Sequence, residues 1–74
     1  MRLQMRNKVY FRFQNQSTFS YVSILEKQKL IDEITSAMYH KQPLVVTDSF
    51  NSNKTTVINT NRIIYFEIEE ITNV

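Results

Sequence analysis

The sequence predicts an α+β fold: a single amphipathic helix packed on one face of a four- to five-stranded antiparallel sheet, in the order β-β-α-β-β-β. Three observations carry that prediction. Residues 23–41 form the only stretch with sustained helical periodicity. Runs of strict apolar and polar alternation lie on both sides of it. Short polar clusters, Asn15-Gln16-Ser17, Asn51-Ser52-Asn53 and Asn59-Thr60-Asn61, punctuate those runs where turns are needed.

Residues 1–7 carry Arg2 and Arg6 without an acid and are expected to fray, as are residues 71–74. From Lys8 the chain alternates, with Val9, Phe11 and Phe13 on one side and Lys8, Tyr10 and Arg12 on the other, which is how a half-buried strand reads. After the break at Asn15-Gln16-Ser17, residues 18–22 are aromatic and β-branched, so a hairpin follows. The turn has no glycine, and Asn15 is expected to take the left-handed backbone position.

In the helical stretch, Leu30, Ile31, Ile34, Ala37 and Met38 form one stripe, while Lys27, Lys29, Asp32, Glu33 and Ser36 cover the remaining circumference. Ser23 and Glu26 have the spacing of a capping box. Pro43 ends the helix by excluding Gln42 from the α region, and His40 and Lys41 suit the negative end of its dipole. Residues 44–50 and 54–58 then read as a second hairpin. A turn at Asn59-Thr60-Asn61 leads into a last alternating strand, residues 62–69, with Ile64, Phe66 and Ile68 on one side.

The 74 residues make one domain, 1–74, whose core is marginal without outside help. With no cysteine, neither disulfides nor thiolate metal sites can supply that help, and the composition fits a reducing, cytoplasmic setting. His40 is the sole imidazole, so no metal site and no cofactor are expected. The apolar runs are too short for a signal peptide or a membrane span, which makes the glycosylation-like triplets Asn15-Gln16-Ser17 and Asn53-Lys54-Thr55 coincidental. Scarce alanine, absent glycine and abundant Asn, Ile, Lys, Thr, Phe and Tyr imply AT-rich coding, as in a low-GC Gram-positive bacterium, its phages or mobile elements. For a phage product the compartment would be the host cytoplasm.

The missing glycine also bears on chemistry. Phosphate-cradling loops, dinucleotide fingerprints and nucleophile elbows need glycine where backbone turns sharply or meets a ligand. Glu67, Glu69 and Glu70 could offer oxygens to a cation, but such a run reads more simply as the solvated end of a strand, and His40 as a surface dipole partner. No enzyme is expected.

Two binding readings remain. If Val9, Phe11, Phe13, Ile64, Phe66 and Ile68 face the helix, the opposite sheet face exposes Tyr10, Ile63 and Tyr65, a patch suited to a protein partner, host or phage, or to a second copy of the chain in a homodimer. The resulting expectation is a non-catalytic regulator acting by protein contact. The alternative is a nucleic-acid-binding regulator using Arg2, Arg6, Lys8, Tyr10 and Arg12, cations and an aromatic on one strand. Against the alternative stands the possibility that Arg12 pairs with Glu67 or Glu69 on a neighbouring strand.

Overall fold

The computed structural model describes the backbone of residues 4–73 and, within it, all side chains except those of residues 4, 5, 52, 72 and 73. Its elements run β1 (Gln4–Phe13), β2 (Thr18–Ser23), α1 (Lys27–Tyr39), β3 (Leu44–Asp48), β4 (Asn51–Ile58), a 3₁₀ turn (Thr60–Arg62) and β5 (Ile63–Asn73). This is the predicted α+β class and element order. The antiparallel strands divide into two sheets, β2-β1-β5 and the hairpin β3-β4.

β1 takes the centre of the larger sheet, which suits the strand with the cleanest alternation. Its odd-numbered side, Val9 and Phe11, is fully buried, while Lys8 on the other side is exposed. Helix α1 and the β3-β4 hairpin together cover the inner face. The core joins Val9, Phe11 and Tyr21 of the sheet to Leu30 and Ile34 of the helix, Val46 and Ile58 of the hairpin, and Ile63. Burying a leucine or isoleucine this completely contributes about 1.5–3 kcal/mol, so Leu30 and Ile34 fix the helix in place. Ile31, Ala37 and Met38 flank them, half-buried, as the stripe requires.

The ends of the sheet differ from expectation. Residues 4–7 and 71–73, predicted to fray, are paired from Gln4 with Asn73 through Asn7 with Glu70. Asn7 is buried and donates from Nδ2 to the Leu25 carbonyl at 2.8 Å, anchoring this end of β1 to the loop before the helix. Residues 1–3 and 74, and with them Arg2, lie outside the described residues.

The helix is shorter than predicted at its start. Ser23 ends β2, buried, and its Oγ accepts from Leu25 N–H at 3.1 Å in a local turn. Glu26 stands at the N-cap, without a side-chain cap bond, so the capping box does not form. Termination is sharper than a following proline alone would give. His40 is the C-cap, and Lys41 takes a left-handed conformation, φ 55°. Gln42 N–H donates to the Ala37 carbonyl at 2.9 Å and Lys41 N–H to Met38 at 3.3 Å, the paired bonds of a Schellman motif. In the first hairpin, Gln16 rather than Asn15 holds the left-handed position, φ 73°. Asn15 instead accepts on Oδ1 from the N–H and hydroxyl of Ser17.

Candidate functional site: the outer face of the three-stranded sheet

A short strand-to-strand mismatch decides what this face displays. β1 and β5 pair in steady register, Val9 with Ile68, Phe11 with Phe66 and Arg12 with Tyr65, until Phe13 meets Ile63 instead of Ile64. One extra residue on β5 reverses the alternation beyond it, as a β-bulge does. Ile63 is therefore core, 8 % exposed, and Ile64 is 53 % exposed. Both assignments reverse the sequence expectation, and Ile63 leaves the candidate patch.

The remaining members come together. Tyr10 and Tyr65 are diagonal neighbours on β1 and β5, their ring centroids 6.4 Å apart and tilted by 34°. Around them the outer face is laid out in cross-strand rows: Lys8 beside Glu69, Tyr10 beside Glu67, Arg12 beside Tyr65. Lys8, Tyr65, Glu67 and Glu69 are exposed, and Tyr10 and Arg12 are half-buried. Ser20 and Thr18 of β2 continue the Tyr10 and Arg12 rows with small exposed groups.

The basic set is not a continuous stripe. Lys8 and Tyr10 face a depression of about 310 Å³ whose other lining includes Glu67 and Glu69. Arg12 donates to Gln16 Oε1 at 3.3 Å rather than to either glutamate. Arg6 lies with its guanidinium carbon 4.8 Å from the Phe50 ring centroid, a cation–π contact with the tip of the β3-β4 hairpin. Ser49 in the same tip donates its N–H to the Val22 carbonyl at 2.8 Å, so Arg6 helps hold the hairpin against the larger sheet.

A second apolar feature is not singled out by sequence alternation alone. Val45 and Val57 are direct cross-strand partners on the outside of the hairpin, 62 % and 63 % exposed. The signal was present in residues 44–50, where Val45 and Val46 are consecutive and only one can face inward. Glu70 turns toward the helix, its carboxylate 3.7 Å from the Lys27 ammonium, an exposed pair worth little. His40 packs edge-on against Tyr39 at 5.0 Å. Among the described residues no three His, Cys, Asp or Glu side chains converge as metal ligands, and no helix is long and apolar enough to cross a membrane. Compared with known proteins, the chain matches no family model, no curated protein and no solved structure.

Proposed function

We propose that this chain is a small non-catalytic binding module that regulates a host or phage protein by direct contact, using the outer face of the three-stranded sheet. The observation that carries the reading is the Tyr10–Tyr65 pair on the outer sheet face, among the exposed Lys8, Glu67 and Glu69 and flanked by Arg12. Tyrosine and arginine are enriched among residues that dominate binding energy, since each offers a large contact area with a polar end. The scaffold beneath is rigid where it matters, because Val9 and Phe11 alternate with Lys8, Tyr10 and Arg12 and are fully buried. The backbone that carries these side chains is thereby fixed before a partner arrives, which lowers the ordering cost of association.

The test is affinity capture from lysate of the cells that encode the protein, with the native chain beside Tyr10→Ser/Tyr65→Ser and Val45→Ser/Val57→Ser. A protein retained by the native chain and the valine variant, and lost with the tyrosine variant, is the expected result. Retention by the tyrosine variant would move the site elsewhere.

A further inference from the structure

We propose that the partner of this face includes a second copy of the chain, in a two-fold dimer that lays β1 of each copy over β5 of the other. The inference rests on the reading of the face as a protein-binding surface and adds the occupant and its orientation.

The argument comes from the register. Lys8 is paired with Glu69, Tyr10 with Glu67 and Arg12 with Tyr65. Consider a two-fold axis parallel to the strands, midway between β1 and β5 and just above the outer face. It carries every residue of β1 to a position over its own cross-strand partner in the other copy. Lys8 then stands over a carboxylate at 69, the Tyr10 hydroxyl over a carboxylate at 67, and the Arg12 guanidinium over the ring at 65. Each row is complementary, as an ion pair, a charge-assisted hydrogen bond and a cation–π contact. Aligned sheets pack about 10 Å apart, a gap that lysine and glutamate side chains approaching from both sides can span.

Other symmetric arrangements lack this property. An axis in the face but perpendicular to the strands, centred on the Tyr10 row, stacks β1 on β1 and brings Lys8 over Arg12. Edge-to-edge antiparallel pairing of β5 with its copy about this same region brings Glu67 toward Glu69 across the junction. Both juxtapose like charges, and such juxtaposition is what rejects wrong geometries at an interface. Only β1 and β5 overlap in this arrangement, β2 of each copy overhanging the other, so two strands about 4.8 Å apart and six paired residues at about 3.3 Å each give a shared face of roughly 10 by 20 Å. That is smaller than the about 800 Å² per partner of a standard stable interface, so the dimer is weak and forms with rising concentration.

Sedimentation equilibrium of the full chain, from about 10 μM to about 1 mM so as to span weak association, tests the proposal with Lys8→Glu and Glu69→Lys. Either variant alone puts like charges over one another at both symmetric rows, and its dimer should be at least tenfold weaker. An equimolar mixture of the two should regain association as a heterodimer, because two carboxylates of one chain then face two ammonium groups of the other. The intrachain neighbours at 8 and 69 carry like charges in each variant whether alone or mixed, so recovery in the mixture cannot come from refolding. Circular dichroism of each variant confirms that the fold persists. A native chain monomeric throughout, single variants that associate like the native chain, or a mixture that fails to recover would each overturn the dimer. A monomeric native chain that still loses its captured protein on Tyr10→Ser/Tyr65→Ser would leave the binding reading intact without the dimer.

Discussion

Phe13 is paired with Ile63 although Arg12, one residue earlier, is paired with Tyr65, and this single slip puts Ile63 in the core and Ile64 in solvent. The two isoleucines are adjacent and chemically identical, so their substitutions isolate the effect of the bulge. Ile63→Ala should cost about 2–5 kcal/mol, the range for truncating a buried isoleucine. Ile64→Ser should stay within about 0.5 kcal/mol, as for exposed sites. Urea denaturation of the two variants decides it, and equal losses would place the bulge elsewhere.

The same slip marks the limit of what the sequence could disclose. Period-2 alternation identified Val9, Phe11, Phe66 and Ile68 correctly because pairing there is regular. Two consecutive isoleucines, Ile63 and Ile64, satisfy either phase, and no glycine flags the bulge. The helix stripe was legible for a similar reason, since Leu30 and Ile34 repeat with the helical turn. Its start was not, because Ser23 can serve equally as a cap or as the last residue of a strand, and the burial of Ser23 against the core decided between them. The pairing of residues 4–7 with 70–73 joins segments far apart in the sequence, a long-range contact that no local pattern encodes. On the candidate face, Tyr10 and Tyr65 were legible as outward residues. The interleaving of Lys8 and Tyr10 with Glu69 and Glu67 depends on register and was not.

Lys41 ends the helix in a left-handed conformation that usually favours glycine. For a residue with a Cβ that region costs roughly 1–2 kcal/mol, partly offset because glycine loses roughly 0.5–1 kcal/mol more chain entropy on folding. Lys41→Gly should therefore stabilise the protein by up to about 1 kcal/mol, read as a higher denaturation midpoint at unchanged slope. A loss of stability would mean that the lysine side chain contributes more than its backbone strain.

Thr60 is buried in the 3₁₀ turn, and its hydroxyl donates to the Gln42 carbonyl at 2.8 Å, tying the segment before β5 to the end of the helix. Thr60→Val keeps the shape and removes the donor. It should cost about 1–3 kcal/mol, the penalty for leaving a buried polar partner unsatisfied. Thr60→Ser retains the donor and should lose less. Equal losses from the two substitutions would show that the methyl group, not the hydroxyl, secures the turn.

Burial, and after it the Glu33 carboxylate, pushes the Tyr21 hydroxyl from 10.0 up to about 12. Its folded-state pKa thus lies above the unfolded value. The stability associated with keeping this phenol protonated is fully present below about pH 10 and is lost as pH rises through about 12. Alkaline titration followed by tyrosinate absorbance and circular dichroism should show one tyrosine ionising late, together with unfolding. In Tyr21→Phe that late step should vanish and the alkaline loss of stability should flatten; an unchanged profile would assign the behaviour to another group.

Nucleic-acid affinity provides the last prediction, because the same rows that suit a protein surface work against a phosphate backbone. Lys8 lies beside Glu69, and Tyr10 beside Glu67, so a strand of phosphates following β1 would meet carboxylates within one strand spacing of its cations. Arg6 is engaged with Phe50. The native chain should accordingly show weak binding to single-stranded DNA or RNA even at low salt. Neutralising the acids by Glu67→Gln/Glu69→Gln leaves Lys8, Tyr10 and Arg12 as an uninterrupted line of cations around an aromatic ring. That variant should gain affinity, with a salt dependence of roughly 1.4, from about 0.7 for each of the two phosphates contacted by Lys8 and Arg12 on a single strand. Fluorescence anisotropy with a labelled oligonucleotide at two salt concentrations measures both. Tight, steeply salt-dependent binding by the native chain would show that the glutamates do not screen Lys8 and Arg12, and would favour the nucleic-acid reading of this face over the protein one.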